Sequence, residues 1–153
     1  MASPSLKNSL AGKNRIFLDT VAIIYYIEDN PKYRPILDPL FETIESGIRK
    51  AASSYITLVE VLIKPLRLKN TLLAQTYKDT LLAGGLNIEA IEKNIAVLTA
   101  EIRAQYNIRV PDAIQVAHAI MFNSDAFVTN DRKIQAVHDR IPVIILDDEL
   151  EKL

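Results

Sequence analysis

Apolar residues along this chain fall into two rhythms. Short dense runs at 15–18, 48–54, 86–88, 126–129 and 143–146 read as strands, most of them buried. Between them lie stretches whose apolar residues recur every three or four positions, the spacing of one helix face. Helices are expected at 21–28, with Asp19 or Thr20 as N-cap, and at 35–46, closed by Gly47. The segment Asn30-Pro31-Lys32-Tyr33 separates the two. A short apolar helix at 57–63 stops near Pro65. A longer one at 68–82 carries Leu68, Leu72, Leu73, Tyr77 and Leu81 and ends at Gly84-Gly85. The clearest repeat is Ile88, Ile91, Ile95, Leu98 and Ile102; Pro111 then opens another helix at a favoured first-turn position. A last helix is expected at 131–137.

Strands thus alternate with helices. That order predicts an α/β three-layer sandwich, a central parallel sheet flanked by helices on both faces. Ligands in such folds sit beyond the carboxyl ends of the strands. Residues 1–14 lack a continuous apolar stretch and read as a flexible lead-in; 15–153 read as a single domain.

Composition narrows the function classes. The chain has 153 residues, 49% hydrophobic and 24% charged, enough for one substantial core. The absence of cysteine removes disulfides, thiol nucleophiles and zinc–thiolate sites, and fits a cytoplasmic protein. No apolar run is long enough for a membrane span. A net charge of −1 argues against indiscriminate nucleic-acid binding, though not against a local basic patch.

Four acids stand beside apolar or small-residue runs: Asp19 in I-F-L-D-T, Glu60 in Y-I-T-L-V-E-V-L, Asp112 in V-P-D-A-I-Q-V-A-H-A and Asp131 in A-F-V-T-N-D-R-K. Each has an ordinary structural reading. Asp19 and Asp131 suit helix caps, Asp112 suits a first helical turn, and Thr57-x-x-Glu60 forms a capping box. As a set they say more. Asp19 and Asp131 follow strands directly, and Glu60 lies soon after another. Converging carboxylates repel, and a divalent cation relieves the conflict. Oxygen-only ligands favour magnesium or manganese. The pattern therefore points to a metal-dependent nuclease.

Other polar residues rank lower. Gln115 shares the helical face of Asp112 and is placed to touch a metal-bound water. His118 and His138 have no ligand-like spacing; His118 aligns with Ile114 and Met121, which suits packing or a contact surface. Asp147-Asp148-Glu149 reads as a solvated tail. Lys64, Arg67, Arg109, Arg132 and Lys133 lie near the acids in sequence and are candidates for RNA phosphates, against the plain reading of surface charge.

The four segments, in this order and spacing, resemble the motifs of the PIN-domain family, and in particular its small VapC-type toxins. V-P-D-A-I-Q-V-A-H-A is the most specific match, and the resemblance runs from Arg15 to about Leu146. It implies that Asp19, Glu60, Asp112 and Asp131 are catalytic metal-site carboxylates, with Thr20 and Asn130 as supporting polar residues. It further implies magnesium- or manganese-dependent cleavage of RNA, an antitoxin partner and a homodimer.

Two rivals fit less well. A phospho-acceptor fold of the dehalogenase type wants an acid where this chain has Val21, and a receiver wants an adjacent acid pair at the first strand. A nucleotide-binding loop needs more glycine than Gly12, Gly47, Gly84 and Gly85 provide. The remaining alternative is a non-catalytic PIN-like module that binds RNA or protein, its acids serving as caps.

Overall fold

The computed structural model describes residues 8–153. Its sheet holds β1 (Arg15–Leu18), β2 (Lys50–Ser54), β3 (Asn87–Glu89), β4 (Ala126–Thr129) and β5 (Val143–Ile145). All neighbours are parallel, in the order β3-β2-β1-β4-β5. The helices are α1 (Thr20–Ile27), α2 (Arg34–Glu45), α3 (Tyr55–Arg67), α4 (Thr71–Ala83), α5 (Lys93–Tyr106), α6 (Val110–Met121) and α7 (Leu146–Glu151), with a 3-10 helix at Arg132–Val137.

Two cores follow from the two-residue period of the strands. Ile16, Leu18, Ala126 and Val128 point to one face, where α1 to α4 and α7 pack. Phe17 and Phe127 point to the other, covered by α5, α6 and the 3-10 helix. These phenylalanines are register partners and their rings stack at 5.3 Å. The expected three-layer α/β sandwich is the observed one.

Several expectations are corrected. Of the lead-in, residues 1–7 lie outside the described residues, but 8–14 are held against the domain: Leu10 is 2% exposed, and its carbonyl and that of Lys13 accept from Arg49. Helix α3 starts two residues earlier than expected, capped by Ser54, and runs through Pro65 into a last turn. Helix α4 begins only at Thr71, after Lys69 takes a positive φ of 56° and Asn70 caps it. Ile88 and Ile91 precede α5, although their spacing continues its apolar pattern. The segment 147–149 is not a solvated tail. It lies in α7, where Asp148 pairs bidentately with Arg132 at 2.7 and 3.2 Å and Glu149 is buried against Ser9. His118 is 2% exposed and engages the Ala90 carbonyl at 3.1 Å, so it belongs to the fold and not to an outer contact surface. Met121 is half exposed.

Candidate active site

The strand order changes direction at β1: the chain proceeds outward to β2 and β3, then crosses back to β4 on the other side. The crevice beyond the carboxyl ends of β1 and β4 is therefore the switch point where such sheets bind ligands. Asp19 ends β1, and Asp131 stands two residues after Thr129, the last of β4. Glu60 reaches the crevice from the second turn of α3, and Asp112 from the first turn of α6. All four acids, with Thr20, Arg109 and Asn130, line a single cleft of about 440 Å³. A larger groove of about 720 Å³ between α5 and α6 is walled mainly by Ile91, Ala96, Ala100, Ala104, Val110 and Ile114; it has no carboxylate to support hydrolysis.

Each acid is held by specific partners. Asp19 caps α1 by accepting from the Thr20 N–H at 2.7 Å, and accepts the Thr129 hydroxyl at 2.5 Å. Glu60 does not close the expected capping box. Its Oε1 accepts from the Thr20 hydroxyl at 3.1 Å and, more weakly, from the Gln115 amide at 3.5 Å. Asp112 pairs with Arg109 at 3.3 Å. Asp131 caps the 3-10 helix through the Lys133 N–H at 3.0 Å.

Behind the acids lies a buried polar cluster. Gln115, 1% exposed, donates to the Thr20 hydroxyl at 2.8 Å and accepts from Thr57 at 3.3 Å. The Thr57 hydroxyl also lies 3.1 Å from that of Thr20 and accepts from Ser53 at 2.8 Å. Buried polar groups so satisfied rigidify what they touch. Gln115 thus works behind the cleft, orienting Thr20 and Glu60.

Electrostatic strain is evident at Asp19. Burial raises its carboxyl from 3.8 to about 6; the bonds from Thr129 and Thr20 oppose that rise, and Asp112 and Glu60 add to it. Arg109 is pushed further towards its charged form, first by its bond to Asp112 and also by the fields of Asp131 and Glu60. Among the described residues, it is the basic side chain that lines this cleft.

The donor set suits a hard divalent ion: four carboxylates beside the Thr20 hydroxyl. Among the described residues, no three acidic or histidine side chains are gathered tightly enough to hold one ion as they stand. Their partners account for this, since Asp112 leans to Arg109, Glu60 to Thr20 and Asp131 to its own helix cap.

The cleft gathers Asp19, Thr20, Glu60, Asp112, Asn130 and Asp131. Of the basic candidates only Arg109 lines it; Arg132 is committed to Asp148, while the side chains of Lys64, Arg67 and Lys133 are exposed and not part of its lining. His138 accepts the Val143 N–H and takes no part. Sequence reasoning missed Thr129, Thr57 and Ser53 as the polar residues that hold the acids and Thr20 in place. Thr57 and Thr129 carried a signal, each lying within three residues of a chosen acid.

The family profile described as PIN domain matches residues 16–140. No curated protein matches the chain in sequence. Among solved structures, a toxin–antitoxin complex from Klebsiella pneumoniae superposes with a TM-score of 0.65 at 21% identity, covering 86% of this chain and 97% of that one. VapBC2 from Rickettsia felis, bound to a promoter DNA fragment, gives 0.67 at 21% identity, covering 86% and 98%. DNA-bound VapBC from Salmonella typhimurium gives 0.61 at 21% identity, with the same coverage.

Proposed function

The chain belongs to the PIN-domain family, and from that premise we propose that it is a divalent-metal-dependent endoribonuclease, the toxin of a toxin–antitoxin pair. The observation that carries this reading is the convergence of four carboxylates, from four distant segments, on one cleft at the topological switch point.

Asp19, Asp112 and Asp131 would hold the cation, with Glu60 beside them. Magnesium or manganese would supply positive charge for the phosphodiester and lower the pKa of water. The chain's own contribution is positioning. Thr129 and the Thr20 N–H fix both oxygens of Asp19. Thr20 and Gln115 both engage Glu60 Oε1, which leaves Oε2 to take a proton from the attacking water. Arg109, which lines the cleft, would meet an RNA phosphate once it leaves Asp112. With so little basic surface at the cleft, single-stranded or looped RNA is the expected substrate in preference to duplex.

One observation favours the rival, a non-catalytic binding module: every one of the four acids already has a protein partner. Cleavage of an RNA panel with magnesium, manganese or chelator, beside an Asp112→Asn control, separates the two. The nuclease reading expects cleavage only with metal and only by the parent. Equal cleavage by parent and Asp112→Asn would refute it.

A further inference from the structure

Asn130 sits where the cleft meets the short C-terminal helix, and both ends of its carboxamide are engaged. Its Nδ2 donates to the Tyr33 hydroxyl at 3.0 Å, and its Oδ1 accepts the Asp147 backbone N–H at 2.9 Å. The Tyr33 hydroxyl donates in turn to Asp147 Oδ1 at 2.7 Å. Three residues from three remote segments thus close a ring. Its polarity is fixed: a backbone N–H only donates, so the amide oxygen faces Asp147, and the single phenolic proton goes to the carboxylate.

The ring is well supported. Tyr33 is buried, and its ring stacks on Tyr25 at 4.0 Å with 2° between planes. The Tyr33 bond, first among its causes, holds the Asp147 carboxyl below the usual carboxylate range, helped by Asn130 and Lys32. Lys32 lies 3.5 Å from the same carboxylate oxygen. Leu146 buries the start of the helix.

The ring also leads into the cleft. The residue after Asn130 is Asp131, whose N–H bonds the Thr129 hydroxyl at 3.1 Å, and that hydroxyl holds Asp19. We propose that Tyr33 and Asp147 are positioning residues of the nuclease site, clamping Asn130 so that Asp131 and Asp19 keep their places; the catalytic part of this role rests on the nuclease reading. The C-terminal helix is then part of the active-site framework, and Asn130 acts through its neighbours without itself serving as a ligand.

Two measurements on the full chain test the clamp. In isotopically labelled protein, the Asn130 side-chain amide should exchange roughly fivefold to tenfold faster in Tyr33→Phe, which removes its acceptor, the loss expected for one hydrogen bond, and should also exchange faster in Asp147→Ala, which frees the Tyr33 hydroxyl. Asp147→Asn keeps an acceptor for Tyr33 and the same backbone N–H, so it should stay near the parent. In manganese-activated RNA cleavage, Asp147→Ala and Tyr33→Phe should each lower kcat about tenfold, as outer partners of metal sites do, with KM within about twofold of the parent. The double variant should fall no further, because either change opens the same ring. Melting temperatures identify any variant that has lost its fold, and Tyr33→Phe and Asp147→Asn are the mildest of the set. Parent-like amide exchange in both Asp147→Ala and Tyr33→Phe overturns the clamp. Loosened exchange with parent-like kcat overturns the positioning role. A parent that neither cleaves RNA nor binds manganese overturns the nuclease reading and the catalytic role with it, while amide exchange still decides whether the ring exists.

Discussion

Thr129 donates its hydroxyl proton to Asp19 at 2.5 Å and accepts the Asp131 N–H with the same oxygen, so one side chain ties together two acids that are 112 residues apart in sequence. Thr129→Val keeps the shape and removes the hydroxyl. The Asp19 carboxylate then loses a buried donor, a change of about 1–3 kcal/mol in stability at neutral pH. Urea unfolding of the two proteins measures it. An unchanged midpoint would mean that the hydroxyl does not support the carboxylate.

Asp19 also sets a pH dependence. Its folded carboxyl titrates at about 6, against 3.8 for the ordinary group, mainly because it is buried. Between those values the folded chain holds a proton that the unfolded chain has released. Metal-free stability should therefore fall as pH rises from about 4 to about 6, by on the order of 3 kcal/mol, and this contribution should level off above that. Asp19→Asn should flatten the profile and raise the metal-free midpoint at pH 7.5. A parent profile parallel to that of the variant would contradict the assignment.

Divalent ions should reverse that penalty. Manganese at a hundredfold excess over its dissociation constant should stabilise the parent by about 2.7 kcal/mol, with no comparable gain for Asp19→Asn. Thermal melts with manganese and with chelator report it. Coincident melts for the parent would argue against an ion at this cleft.

Arg109 competes with such an ion for Asp112. Arg109→Ala should tighten manganese binding a few-fold and barely move the metal-free melting temperature, since an exposed pair contributes little. The same variant should raise KM for RNA. Calorimetry and steady-state kinetics give the two numbers, and weaker manganese binding would show that Arg109 supports the acids in some other way.

An antitoxin that covers the cleft with a basic side chain would relieve the same repulsion as a metal, so partner and manganese should compete. Metal affinity unchanged in the complex would exclude occlusion of this cleft. Light scattering should give about twice the chain mass of 17.2 kDa for a homodimer. Met121, Val59, Ile63 and Leu66 are apolar residues exposed for such contacts. A monomer across micromolar concentrations would refute the dimer.

The sequence by itself determined the layers and the acids. Period-two alternation in Ile16-Phe17-Leu18 and Ala126-Phe127-Val128 is local information, so the strands and their two faces are legible without coordinates. Alternation with helices implies the parallel sheet, and an acid after a strand implies the binding edge. Only the tertiary structure decided what each acid touches. The Thr57-x-x-Glu60 pattern is locally a capping box, yet α3 begins earlier, at Tyr55 with Ser54 as its cap, which turns Glu60 to Thr20, 40 residues away. Asp147 looked like solvated charge because nothing in its neighbourhood reveals Tyr33, 114 residues away. Leu10 reads as part of a loose leader until a core cluster closes over it. Caps and periods depend on residues a few positions apart, whereas these partners meet only after the sheet has brought remote segments together.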